Sequence, residues 1–315
     1  ETEKALAVCE KALPLMKRTS GVNHPQTRQC IQRFGESSDG RGRSEQAIEL
    51  LEQAYRGFQT VYGNDHPRTV STMNALAVVY WSEKRLDQSI PLLENALKQR
   101  EATLGRRHPE TVTVLGNLGM NYASAGRFTE ALPLLEEAVE NSLNGPIKIN
   151  FAIPLIDTYT RTEQAQKAVE AAKQHTLLAV KLGPSTIAGF TNQLAVSASM
   201  LIEKEAVAEA ALMARACLRI RERHLPESWL TFRAHALVGR TMLVQGNYEL
   251  AEQSLVKGYE GMVSRMDSIP SASRTSFIET LEALIGLYQA LDQEEQVLRW
   301  QTELEKQSDP ADDDD

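Results

Sequence analysis

Apolar and small residues recur along this chain at helical spacing. Over residues 111–124, Leu115, Leu118, Gly119 and Tyr122 follow the i, i+3, i+4, i+7 rule of one helix face. Gly126 and Arg127 read as a turn, and residues 128–143 then place Ala131, Leu134, Leu135, Ala138 and Val139 on one face. The pattern returns every 42 residues. Ala5, Ala47, Ser89 and Ala131 form one series, Ala12, Ala54, Ala96 and Ala138 a second, and Cys9, Leu51, Leu93 and Leu135 a third. The segments His24-Pro25-Gln26-Thr27, His66-Pro67-Arg68-Thr69 and His108-Pro109-Glu110-Thr111 keep the same interval. A fixed period of this length marks a stacked repeat.

Each repeat reads as two amphipathic helices. Small residues at fixed sites let their backbones approach, and the next repeat covers the apolar face that one hairpin cannot bury. Gly63 and Gly105 stand where a helix end favours a left-handed residue. Pro67 and Pro109 stand where a helix begins and an N–H is dispensable. The second half is looser. Pro184 and Pro226 are 42 apart, Pro146 and Pro270 mark further boundaries, and Tyr159–Ala168 and Met242–Ala251 repeat the spacing of Tyr122 and Ala131. Gly246-Asn247 reads as another turn. The expectation is an all-α, right-handed α-α superhelix: a leading helix near 1–19, then seven pairs near 24–65, 66–107, 108–145, 146–183, 184–225, 226–269 and 270–307. No strand is needed. The array would span 1–308, with 309–315 a disordered acidic tail.

These helix pairs, with Leu, Gly or Ala, Tyr and Ala at fixed offsets, resemble tetratricopeptide repeats. The His-Pro-x-Thr link, Met73-Asn74-Ala75-Leu76-Ala77 and Glu130-Ala131-Leu132-Pro133-Leu134 are similar to the kinesin light chain type. Residues 246–262, Ile269-Pro270 and residues 284–300 resemble the repeat tail of bacterial serine/threonine protein kinases. That second resemblance implies a kinase domain in cis, N-terminal to this chain. The kinase motifs themselves are absent from these residues: there is no Gly-rich loop with Val-Ala-x-Lys, no His-Arg-Asp and no Asp-Phe-Gly.

Charge and composition narrow the partners. The net charge is −8, and Asp309, Asp312, Asp313, Asp314 and Asp315 carry five of those charges. The remainder has no basic excess for nucleic acid. No apolar run reaches the roughly 20 residues that cross a bilayer, so membrane insertion is not expected. Three scattered cysteines, Cys9, Cys30 and Cys217, suit reduced thiols and a cytoplasmic setting. The start, Glu-Thr-Glu-Lys, reads as helix without a signal peptide, as in a fragment of a longer protein.

Candidate chemistry resolves into repeat positions. The three early histidines recur one repeat apart, too far for one metal, and are expected to brace or cap the loops. Gly40-Arg41-Gly42-Arg43 looks like a phosphate loop, but Gly42-Arg43 falls in the register of the turn at Gly126-Arg127, and no Gly-Lys-Ser/Thr follows. The stretch Gly35–Gly42 reads as an insertion. No metal, cofactor or catalytic group is expected, and Trp81, Trp229 and Trp300 read as packing residues. In the tetratricopeptide resemblance the leading helix of each pair lines a concave groove. Register then places Asn74, Val78 and Trp81 there, followed by Thr113, Asn117 and Met120, Asp157 and Arg161, Asn192 and Ser199, and Arg233 and Arg240. Asn can bond both groups of a peptide unit, so Asn74 and Asn117 are expected to read an extended backbone from solvent-accessible positions. The expected function is a scaffold that binds a protein or peptide segment and performs no catalysis. The alternative is the regulatory or substrate-recruiting C-terminal repeat region of a bacterial serine/threonine protein kinase whose kinase domain is absent from this chain.

Overall fold

The computed structural model of the chain describes residues 41–308, which hold thirteen α-helices and no strand. The expectations for residues 1–40 lie outside the described residues: the leading helix, the His24 loop, Cys9, Cys30 and most of the Gly35–Gly42 stretch. So does the tail at 309–315. The helices are α1 (Arg41–Tyr62), α2 (Pro67–Ser82), α3 (Leu86–Leu104), α4 (Pro109–Ser124), α5 (Phe128–Asn141), α6 (Gly145–Arg161) and α7 (Ala165–Leu182). They continue as α8 (Pro184–Glu203), α9 (Val207–His224), α10 (Trp229–Val244), α11 (Tyr248–Val263), α12 (Thr275–Ala290) and α13 (Glu294–Ser308). The described residues are all-α, built of helix hairpins in a repeating arrangement.

The chain divides into two compact units, up to Pro154 and from Leu155. In the first unit α1 to α5 pack in succession and α2 also touches α4. In the second, α7 to α13 pack in succession, and the leading helices α8, α10 and α12 touch one another in turn. Leading helices therefore form one layer within each unit. The 42-residue series are the contact sites between layers: Ala47, Ser89, Ala131, Ala54, Ala96, Ala138, Leu51, Leu93 and Leu135 are all fully buried. At Gly258 and Gly116 the approach is closer still. A Cβ on Gly258 would lie 2.7 Å from the backbone nitrogen of Ala236, and one on Gly116 would lie 2.4 Å from the Phe151 ring.

The helix ends follow from local chemistry. His66 and His108 cap α2 and α4, each accepting through Nδ1 from the backbone N–H two residues on, at 3.2 Å. Pro67 and Pro109 then open the helices. Six hairpins close with one turn. The residues at its centre have positive φ: Lys84, Gly126, Glu163, Glu205, Gly246 and Asp292. In each, the next residue's N–H reaches back five residues, as Arg85 does to Tyr80 at 2.8 Å and Gln293 to Tyr288 at 3.0 Å. This is the Schellman pattern, which satisfies the last carbonyls of a helix.

Two expectations are corrected. Gly42-Arg43 is not a turn: α1 begins at Arg41 and contains both. The residues that follow, Ser44-Glu45-Gln46-Ala47, favour a helix, and a glycine in the first turn is cheap because those N–H groups have no intrahelical partner. The 42-residue interval between Pro184 and Pro226 is also not a structural register. Pro184 is the first residue of α8, whereas Pro226 lies in a loop before the cap at Ser228, whose hydroxyl accepts from Leu230 N–H at 3.3 Å. The capping serine, not the proline, sets the start of α10. The connection from α11 to α12 is longer and carries two short 3-10 turns, Met266–Ser268 and Ser271–Ser273.

Candidate functional site

The inner faces of the leading helices are built by the i, i+4, i+7 spacing of α2 and α4. In the first unit this brings Asn74, Val78 and Trp81 beside Thr113, Asn117 and Met120, all half-buried. Asn117 Nδ2 donates to Asn74 Oδ1 at 2.9 Å, linking the two helices. The two asparagines are thus neither fully solvent-accessible nor independent, contrary to the expectation. The reason is the 43-residue step between them, which sets one amide against the other once α2 and α4 touch. Trp81 Nε1 donates to Ser124 Oγ at 2.8 Å in a second link. The hydroxyl of Thr113 is turned back to the carbonyl of Pro109 at 2.9 Å.

Beneath this face, Asn121 is buried, donating to the Asn117 carbonyl at 2.8 Å and accepting from Ser89. Beside Asn74 and Thr113 lies a cleft of about 260 Å³, which Ser71, Arg100 and Glu110 also line. Arg100 is buried at its floor. It donates to Ser71 Oγ at 2.8 Å and the Pro67 carbonyl at 3.2 Å, and it pairs with Glu110 at 2.8 Å.

The second unit presents a charged face. Asp157 accepts from Arg161 Nε at 2.7 Å and from Gln193 Nε2 at 3.1 Å. Asn192 is exposed and accepts from Arg233 Nη1 at 3.5 Å. Arg240 pairs with Glu279 at 2.5 Å, and Ser199 shares a narrow slot with Arg233, Arg240 and Glu279. Desolvation pulls the Arg233 guanidinium below its usual value, opposed by the charge of Glu279.

Register reasoning missed Ser124, Gln193, Arg100, Glu110 and Glu279. Glu279 follows the irregular α11–α12 connection, so no fixed period reaches it. Arg100 belongs to a trailing helix, although its place among apolar neighbours of α3 was a readable signal. Trp229 packs against a C-terminal apolar cluster that includes Phe277, Leu284 and Trp300, in line with a packing role. Among the described residues no group of His, Cys, Asp or Glu is arranged to hold a metal ion, and no helix is long and apolar enough to cross a membrane.

Layers of paired helices with one turn geometry define a helical-repeat protein. The tetratricopeptide repeat family model matches residues 1–60, 40–86 and 68–144, so the chain carries tetratricopeptide repeats over that stretch. The match ends before residues 246–300, and the expected resemblance of those residues to kinase tails is not shown. No curated protein matches. Among solved structures, the apo form of RapI is similar over 99% of this chain and 77% of its own, at 13% identity and a TM-score of 0.62. The C-terminal part of a tetratricopeptide repeat-containing protein from Cytophaga hutchinsonii is similar over 90% of this chain and 96% of its own, at 11% identity and a TM-score of 0.56. The putative kinesin light chain repeats of Podosopora anserina match 77% of this chain and 98% of their own, at 19% identity and a TM-score of 0.47. At these identities the likeness concerns the fold.

Proposed function

We propose that this chain is a protein-interaction scaffold that holds an extended peptide segment against the inner faces of its leading helices and performs no catalysis of its own. One observation carries the reading. The Asn74–Asn117 bond uses one donor of one amide and the acceptor of the other. Whichever way the two amides are turned together, the pair keeps one free carbonyl end and one free NH2 end, and Asn74 lines the cleft. A peptide group offers the complementary pair, one N–H and one C=O. Val78, Met120 and the Trp81 ring supply flanking apolar surface. The buried thiol of Cys217, which is free, suits a reducing, cytoplasmic setting.

The test is selection of binders from a random displayed-peptide library with the whole chain. Affinity of the selected peptides is then compared for the parent and an Asn74→Ala/Asn117→Ala variant. Losing two peptide hydrogen bonds, at about 0.5–1.5 kcal/mol each, weakens binding by roughly five- to more than a hundredfold. Unchanged affinity for every selected peptide contradicts the reading.

A further inference from the structure

Arg100 and Arg221 hold the same place in the repeat. Each is the fifteenth residue of its trailing helix, α3 or α9, and each is buried. Around Arg100 the chain supplies a carboxylate: Glu110, two residues after the cap at His108, pairs with it at 2.8 Å. Two residues after the equivalent cap at Ser228 stands Leu230, which offers Arg221 only its backbone carbonyl, at 2.7 Å from Nη1. Arg221 Nε donates to Thr191 Oγ1 at 3.0 Å, and its Nη2 is buried without a hydrogen-bond partner.

The leading-helix face over Arg221 adds two more guanidinium groups. Arg240 is neutralised by Glu279. Arg233 has the 3.5 Å bond to Asn192 and feels the same Glu279 carboxylate, which is bonded to Arg240 and not to it. Desolvation lowers the affinity of both Arg221 and Arg233 for their protons; Arg233 adds repulsion at Arg221, and Arg240 adds it at Arg233, where Glu279 opposes the shift. Arg221 thus has no carboxylate beside it, which is unfavourable for a buried charge, whereas Glu110 supplies one at Arg100.

We infer that the α8–α10–α12 face of the second unit receives a carboxylate side chain, glutamate or aspartate, from a bound peptide, with Arg233 as the direct contact and Arg221 as the buried charge behind it. The inference rests on the proposed peptide-binding reading and gives it a chemical preference. The guanidinium fork of Arg233 suits two-point contact with a carboxylate. The slot beside it, between Ser199, Arg240, Glu279 and Thr280, has a volume of about 10 Å³ and already holds the Glu279 carboxylate on Arg240, so an incoming group must rest over the slot, on Arg233.

The experiment uses the whole chain and two fluorescein-labelled peptides, (Glu-Ser-Gly)4 and its Gln counterpart, followed by anisotropy at about 50 and 300 mM salt. The acidic peptide is expected to bind at least about tenfold more tightly, with the difference shrinking at higher salt. Arg233→Gln should remove most of that preference and melt close to the parent, because it deletes one half-buried guanidinium from a set of three that faces a single carboxylate, Glu279. Arg215→Gln, which removes an exposed charge on α9, should retain the preference. Equal binding of the two peptides, no binding of either, or equal losses in both variants overturns the inference. If library-selected peptides depend on Asn74 and Asn117 but not on Arg233, the peptide-binding reading stands and the carboxylate preference falls. If they depend on neither asparagine, the reading itself falls.

Discussion

Four of the six hairpin turns place an ordinary side chain in the left-handed region: Lys84, Glu163 and Glu205 at φ 60° and Asp292 at φ 54°. The other two use Gly126 and Gly246, at φ 74° and 75°. For a residue with a Cβ, that conformation costs roughly 1–2 kcal/mol. Glycine removes the strain but loses about 0.5–1 kcal/mol more on folding, through its freer unfolded state. Each change to glycine should therefore stabilise by about 0.5–1 kcal/mol. The four turns are separate, so Lys84→Gly/Glu163→Gly/Glu205→Gly/Asp292→Gly should gain about 2–4 kcal/mol in sum. Little offsets this: Glu163 lies 3.9 Å from Lys204 and is itself exposed, so that pair contributes little. The reverse changes isolate the conformational term. A Cβ on Gly126 or Gly246 meets nothing within 4 Å, so Gly126→Ala and Gly246→Ala should each destabilise by about 1 kcal/mol through φ alone. Urea unfolding followed by circular dichroism measures both sets. A quadruple variant no more stable than its parent, or alanine variants of unchanged stability, would refute the strain argument.

Gly258→Ala should destabilise by more than about 2 kcal/mol, because its Cβ meets the Ala236 backbone at 2.7 Å, whereas Gly189→Ala, with nothing within 4 Å and an ordinary helical φ, should gain about 0.5–1 kcal/mol. Melting curves that rank the two the other way contradict the packing described. Burial, followed by hydrogen bonds to Glu52, Glu94 and Glu252, pushes the phenols of Tyr80, Tyr122 and Tyr288 up to about 12. The folded state holds these protons more tightly, so their contribution to stability is complete below about pH 10 and is lost as pH rises towards 12. Ultraviolet titration of the native chain should show these three ionising near pH 12 and, after urea unfolding, near 10; native ionisation near 10 would contradict the pairing.

The layered fold was legible because its contacts recur in sequence. Among the described residues, alanine, serine and leucine of the three series are buried at the same sites, and His66 and His108 cap helices as their position suggested. Features outside the period were hidden. A left-handed Lys84 or Asp292 has no composition signal, since the surrounding Schellman bonds impose the conformation that glycine would adopt freely. Pro226 misleads because proline marks either a helix start or a loop, and only Ser228 decides between them. The mutual bond of Asn74 and Asn117 required knowing how closely α2 and α4 approach. The uncompensated Arg221 required comparing two buried environments, which no linear pattern displays.

The central claim is that the amide pair on α2 and α4 reads a peptide backbone. Its most direct measurement follows the side-chain amide resonances of Asn74 and Asn117 in isotope-labelled whole chain during titration with a library-selected peptide. The account predicts that the resonances of both side chains shift and saturate together with binding. Saturable binding that leaves both unmoved while resonances elsewhere shift would contradict it.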